Sequence, residues 1–449
     1  MLYHILNIIT VVLACSMFII SRTKKMALLI IWMMCLTTFP SPVPLMKQIF
    51  ILMPMFFFFS ELKYLPQILP SLRQTVLWNL SIWMLFAAII LFLHSPHYNH
   101  SIVEAVKFFE AETICSYFII LFPLVLFRGA IDMRYIYRVF FFCLLALTVF
   151  GVLNLLFHRD VFIDFIYSGR AMSGAFEDLG SKYQYADRFR VHSMFLNPFD
   201  YGYICLLALL FNFYCRKLKF ATRKEFLISL FGSIFGILSC NTRTLLLCSI
   251  VGVLVYFLCV YNIKQKVRIA LIACIVGVIL LNVFPSHTDY LGEMILSVFD
   301  SNSNVQGSSW EMREMQFLAV LYHIKDNLLL GNGKGYFYID MGYAEGGLST
   351  LVDHDLLGLE GVYLFNLLER GIIGTIFYYV YWIAIILLFH KLRKFDKSTT
   401  GFALALISSY LCFAHFTGEL SSLAPTLFFI GMAYAMIKLH IHNNQTINI

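Results

Sequence analysis

Five arginines stand apart from the other basic residues of this chain. Arg188 and Arg190 come just before an apolar run, in Arg190-Val-His-Ser-Met-Phe-Leu-Asn-Pro198. Arg243 sits in a short polar turn, Asn241-Thr242-Arg243, between two apolar stretches. Arg313 lies in a long polar segment, and Arg370 opens another apolar run in Glu369-Arg370-Gly371-Ile-Ile-Gly374. A guanidinium is planar, permanently charged and carries a fork of donors that matches phosphate oxygens bidentately. Near hydrocarbon it costs about 2.5–3.5 kcal/mol at a helix centre and less at the interface, so it persists where it has a partner. Two readings follow. Each arginine taken alone snorkels to lipid headgroups; several together, with no matching density of lysine, make an anion site. The anion expected there is a lipid diphosphate.

The elements that must carry these arginines follow from composition. Of 449 residues, 60% are hydrophobic and only 13% charged, where a soluble chain has about 25% charged. That excludes a disordered chain, a secreted disulfide scaffold and a soluble enzyme. A bilayer-crossing helix takes about 20 apolar residues. Apolar runs fall near 3–20, 26–40, 46–60, 76–94, 108–127, 137–157, 193–214, 226–240, 244–262, 269–285, 361–390, 401–416 and 424–438. They are continuous, not alternating, so helices and not barrel strands are expected. The chain therefore reads as one all-α polytopic membrane domain, 1–449, with 12–13 transmembrane helices.

Charge sets the orientation. Lysine and arginine gather at 21–25, 61–74, 128–138, 216–224, 264–268 and 391–397, and counting runs between them puts all six on one side. The positive-inside rule makes that side cytoplasmic, with the N-terminus outside and the first run read as a retained helix. The net charge of +7 lies in these short clusters and forms no face for nucleic acid. All eleven cysteines fall in or beside apolar runs, so no disulfide framework is implied.

Two segments on the opposite side stand out by length, 158–192 and 286–360. The second is the large outer loop, with eleven acidic residues against three basic ones; unstructured loops of that size are uncommon unless functional. Within it, Ser308-Ser309-Trp310-Glu311 has capping-box spacing and precedes Met312, Met315, Leu318, Leu321 and Tyr322. This predicts an amphipathic helix ending near Asn327, lying on the leaflet surface. Gly331-Asn-Gly333-Lys-Gly335 follows as a turn that lets backbone approach closely. His94, His97 and His100 recur every third residue, but Pro96 interrupts the helix that would align them, and no metal site is expected. Asp353-His354-Asp355 has the look of a diphosphate-metal box on the wrong side for nucleotide sugars, which leaves His354 as an acid or base. Tyr336, Tyr338 and Tyr363 have the chemistry to stack on sugar rings.

Four motifs in order carry a resemblance: Arg190…Asn197-Pro198…Gly202; Asn241-Thr242-Arg243-Thr244; Arg313…Gly331-Asn-Gly333; and Glu360-Gly-Val-Tyr363…Glu369-Arg370-Gly371-Ile-Ile-Gly374. The pattern resembles the O-antigen polymerase and O-antigen ligase superfamily over roughly residues 185–390. The resemblance implies a cavity open to the periplasm of the bacterial inner membrane. It also implies an undecaprenyl-diphosphate-linked oligosaccharide as donor and no metal or nucleotide cofactor. In a polymerase the acceptor is a second lipid-linked unit and a chain-length regulator protein is a partner; in a ligase the acceptor is lipid A-core. Ligases carry a histidine–asparagine pair before the last glycine motif. Here Glu360 stands there, with His354 six residues earlier, which favours the polymerase.

On that reading Arg190, Arg243, Arg313 and Arg370 bind the diphosphate. Glu360, desolvated, accepts the acceptor hydroxyl's proton, with His354 as the other candidate; the plain alternative for Glu360 is an ion pair with a nearby arginine. A lipid-linked oligosaccharide flippase is the rival outside the transferases. Transporters of that kind carry their polar residues at the midplane and often show inverted repeats, whereas these motifs sit at one face.

Overall fold

The computed structural model describes residues 11–36, 44–94, 112–128, 131–162, 189–195, 197–268, 310–342, 352–356, 359, 361–418 and 422–447, with positions 102, 106 and 109. Every regular element among the described residues is helical. The first half holds α1 (Arg22–Ile31), widened into a π turn over Trp32–Leu36, α2 (Pro44–Glu61), α3 (Leu65–Arg73) and α4 (Val76–Leu93). A 3-10 turn over Tyr117–Leu121 leads into α5 (Phe122–Leu126), and α6 covers Met133–Phe157. Then come α7 (Pro198–Lys217), α8 (Arg223–Ser239), α9 (Arg243–Val260), α10 (Trp310–Ile324), α11 (Tyr336–Ile339), α12 (Val362–Leu392), α13 (Lys397–Thr417) and α14 (Leu423–Ile447).

Seven described helices are long and apolar enough to cross a bilayer: α4, α6, α7, α9, α12, α13 and α14 up to Ile441. The protein is an all-α, multi-pass membrane protein. Several apolar runs gave shorter helices than a span needs. The 26–40 run is ten helical residues and a π turn, and α8 has 17 residues behind a Thr222–Glu225 capping box. The 269–285 run lies outside the described residues. The helix foreseen from the Ser308 capping box starts, among the described residues, at Trp310; it stops at Ile324, before a turn through Asn327.

Residues from the six basic clusters meet at one end of the bundle, called here the basic end. Arg128 donates to the carbonyls of Gln67 and Ile68 (3.1 Å each), and the Asp132 N–H approaches Thr23 Oγ1 (3.4 Å). Arg138 lies 3.8 Å from Glu225, Lys217 covers the Tyr261 ring, and Arg393 reaches the Cys259 carbonyl. Beneath them Lys25 is buried with Glu61 as an ion pair and donates to Ser60 Oγ at 2.9 Å.

The opposite end, the loop end, carries α10, α11 and the 352–356 turn. Its position depends on α9 and α13, which pack antiparallel because small residues let their backbones close up. A Cβ on Gly252 would overlap Ser409 Oγ, and Gly401 sits against Cys259 and Val260. That register, continued to the helix ends, sets Arg243 level with Gly418. An aromatic core behind the pair includes Tyr214 stacked on Phe402 (centroids 4.6 Å apart, planes 7° apart).

The long α12 is two helices joined at a break. Gly371 has φ 61° and ψ −165°, which strands the carbonyls before it and the N–H groups after it. In a membrane protein such groups must be satisfied by protein. The 328–333 turn does so: the Asn332 and Gly333 N–H groups donate to Leu368 and Glu369 carbonyls (3.0 and 2.8 Å), and the Ile372 and Ile373 N–H groups donate to Leu328 and Leu329 (3.0 Å each). The part before the break joins a small separate core with Ala319, Val320, Ile324, Phe337 and Leu356. The part after it crosses the bundle.

Candidate functional site

Arg190 belongs to a non-helical stretch that returns to the tip of α8, where the Val191 N–H donates to the Ser239 carbonyl (3.1 Å). Buried Asn154 holds this stretch by donating to Ser193 O (3.2 Å), while Ser193 Oγ donates to Leu147 O (2.6 Å). Asn197 caps α7 by accepting from the Phe199 N–H at 2.7 Å, and Pro198 takes the first helical position, where its missing N–H costs nothing. The helix therefore opens five residues after the apolar run begins, leaving Arg190 and His192 in the loop-end layer. Arg190 lies near the Cys240 thiol in the adjacent turn.

Arg243 is the first residue of α9, behind Thr242 and behind Asn241 in the left-handed region (φ 51°). Arg313, on α10, donates to Gln316 Oε1 (3.2 Å) and across to the carbonyl of Phe416 (3.3 Å), at the end of α13. With Arg243 level with Gly418, the two arginines attend the same helix end. The start of α12 closes on it too: a Cβ on Gly361 would stand 2.8 Å from His415 O, and Gly361 N is 3.8 Å from the Cβ position of Gly418. Three helices, α7, α9 and α12, begin at this end and three, α6, α8 and α13, finish there, so their dipoles offset one another and the arginines supply the positive charge.

Between α6 and α8 runs an apolar groove of about 480 Å³. Leu155, Phe231, Ile234 and Leu238 line it and are exposed, so it opens to the bilayer side of the bundle. Its other lining residues include Phe189, Ser239 and Asn241, neighbours in sequence of Arg190 and Arg243. No family model and no curated protein matches this chain. The chemistry at the mouth therefore rests on its geometry.

Arg370 is placed elsewhere. It is 5% exposed and ion-paired with Glu112, next to Glu369, itself 2% exposed. Lys334, from the glycine turn, completes the group at 3.0 Å from Glu369 Oε2 and 3.9 Å from Glu112 Oε2, and the Gly335 N–H donates to Glu369 Oε1 (2.9 Å). Two cations and two carboxylates thus neutralise one another beside the α12 break. Burial alone would lower the Lys334 ammonium, but the Glu369 and Glu112 carboxylates raise it well above its ordinary value. The arrangement can hold the break together; its charges already have partners.

Glu360 and Arg188 lie outside the described residues, as do His97 and His100. His354 heads a 3-10 turn, and its side chain is likewise outside them. Its neighbour Asp353 accepts from the Asp355 N–H (2.9 Å) and bonds His323 Nε2 (2.8 Å), whose Nδ1 faces the Tyr336 hydroxyl at 3.3 Å. Burial pushes the Tyr336 phenol up, with help from Asp340 and Asp353. This cluster staples the 352–356 turn to α10 and α11.

Sequence reasoning passed over Glu112, His323 and His415. For two of them a signal existed. Glu112 and His415 are ionisable residues inside the apolar runs 108–127 and 401–416, and such residues point to pairing or function. His323 sits in a polar helix and carries no such mark. Tyr363, singled out for stacking, lies parallel to the His415 ring (centroids 6.2 Å apart, planes 15° apart).

Proposed function

We propose that the protein is a surface-polysaccharide polymerase of the O-antigen type, joining undecaprenyl-diphosphate-linked repeat units at the periplasmic face of the bacterial inner membrane. One observation carries the reading: Arg190, Arg243 and Arg313 belong to the loop end, and two of them, Arg190 and Arg243, stand within two residues of Phe189 and Asn241, which line an apolar groove with exposed walls. An amphiphile with a long hydrocarbon chain and a polyanionic head matches that juxtaposition. The basic end is then cytoplasmic by the positive-inside rule, and the loop end faces the periplasm.

The chemistry follows from charge. As the glycosidic bond to the diphosphate breaks, negative charge grows on the leaving oxygen. Guanidinium groups aimed at it stabilise the transition state more than the ground state, and more strongly in a site poor in water. Arg190, Arg243 and Arg313 take this role. Arg370 acts at one remove, by keeping the α12 break and the mouth in shape. Glu360 and His354 are the sequence's candidates for the acceptor's proton. Partners are the lipid-linked donor and acceptor, surrounding lipids and a chain-length regulator protein.

Arg243→Ala tests this directly. In a strain depending on this protein it should remove long-chain polysaccharide, with transfer reduced by about 10²–10³ and the amount of protein in the membrane unchanged. Single lipid-linked repeats should accumulate at the periplasmic face. A normal ladder of chain lengths from that variant would overturn the anion-site reading; loss of all glycan from lipid A-core, short and long alike, would point to a ligase instead.

A further inference from the structure

His415 is held in one defined tautomer. Its Nδ1 stands 2.6 Å from the Leu411 carbonyl, and a carbonyl only accepts, so Nδ1 carries the hydrogen. In the neutral ring Nε2 is then a bare lone pair, and the Tyr379 hydroxyl donates to it at 2.8 Å. Tyr363 packs parallel on one side of the ring and Tyr379 lies at 5.7 Å and 39°, so the plane is fixed as well. The side chain is half-buried, neither sealed in nor fully solvated.

Its surroundings are those of the proposed site. The carbonyl of the next residue, Phe416, accepts from Arg313, and the carbonyl of His415 itself meets Gly361. Gly418, level with Arg243, is three residues on, about 4.5 Å along the helix. The other histidines at this end differ. His323, like His415, has both ring nitrogens engaged, but its Nε2 faces the Asp353 carboxylate and its Nδ1 the Tyr336 hydroxyl, in the cluster that holds the 352–356 turn. His192 is 4% exposed beneath the Arg190 stretch, and His94 and His158 are exposed C-caps of α4 and α6.

We infer that His415 is the general base of the transfer, an assignment that rests on the polymerase reading above. The acceptor sugar hydroxyl displaces Tyr379 at Nε2. Its oxygen then bonds to the donor's anomeric carbon, while the bond from that carbon to the diphosphate oxygen breaks and leaves its electron pair on undecaprenyl diphosphate. The hydroxyl proton passes to Nε2, and the imidazolium formed returns it to water. The Nδ1–H···O=C bond steadies the imidazolium as it forms, as a fixed partner does for catalytic histidines generally.

The test uses the full-length protein in liposomes, with lipid-linked repeat unit extracted from a strain lacking it as the probe. His415→Asn keeps a donor for the Leu411 carbonyl but has no basic nitrogen. Transfer should fall by about 10²–10⁴ while retention of the lipid-linked probe and the melting temperature stay near those of the unmutated protein. In the unmutated protein, carbethoxylation of His415 by diethyl pyrocarbonate, mapped by mass spectrometry, should stop transfer in proportion to its extent. Transfer that survives complete modification of His415, or an Asn variant within about threefold of full rate, overturns the assignment while leaving the polymerase reading in place. An unmutated protein that binds the probe and transfers nothing overturns both.

Discussion

Gly331 and Gly371 lie backbone against backbone, so that a Cβ on either would collide with the peptide nitrogen of the other. Both have positive φ, 72° and 61°. Around this contact the four hydrogen bonds between 328–333 and 368–373 close the gap in α12. The close approach allows a helix to break inside a membrane protein without leaving polar backbone unsatisfied.

Alanine at Gly371 should therefore be severe. Backbone strain in this region alone costs on the order of 1–3 kcal/mol, and the overlap with Gly331 adds to it. We expect Gly371→Ala and Gly331→Ala each to lower the melting temperature of detergent-purified protein markedly and to reduce its yield in membranes. A variant melting within a degree or two of the unmutated protein would show that the two segments are not closely apposed.

The Glu112–Arg370–Lys334–Glu369 group predicts a non-additive mutant cycle. Removing one partner of a buried pair strands the other and costs about 3–5 kcal/mol, so Glu112→Gln should be strongly destabilising. Replacing both Glu112 and Arg370 by apolar residues of similar size should recover much of the loss, since a desolvated pair gains little over good packing. Chemical denaturation of the single and double variants checks this, and strictly additive effects would argue against the pair.

His192 makes a prediction about pH. Burial pushes its imidazole down to about 4, partly offset by a backbone hydrogen bond with Phe195. Asp160 Oδ1 lies 3.0 Å from Nδ1, and its charge acts in the opposite direction; burial is the larger cause and sets the direction expected here. Above an unfolded-state value of about 6.5 the ring is neutral in both states and stability is complete. As pH falls from there to about 4, the unfolded chain takes up the proton first and stability declines, by about 3 kcal/mol in all. Thermal melts across that window, compared with His192→Asn, should show this slope only in the unmutated protein. A slope of opposite sign would mean that the Asp160 carboxylate dominates.

Much of the architecture was legible residue by residue. The apolar runs marked α4, α6, α7, α9, α12, α13 and α14, and the Asn197-Pro198 pair marked the start of α7 through capping chemistry that needs only neighbours. The arginine positions were visible because a charge beside an apolar run stands out in one dimension. Less legible was where the fold would place each arginine. Arg370 looked like Arg190, Arg243 and Arg313, yet its partner Glu112 is 258 positions away in the chain. His415 carried the mark of an ionisable residue in an apolar run, but its surroundings, Leu411, Tyr363 and Tyr379, were not legible, since two of those belong to another helix.

Hydropathy, caps and charge bias act over a turn or two of helix, so the amino-acid order alone determined that this is a helical, multi-pass membrane protein with its basic loops gathered on one side. Pairing across the bundle depends on how small residues let α9 and α13 close and on where α12 breaks. Those are properties of packed helices, and only the tertiary structure decided that Arg370 is sealed into an ion pair while Arg313 reaches the end of α13 beside His415.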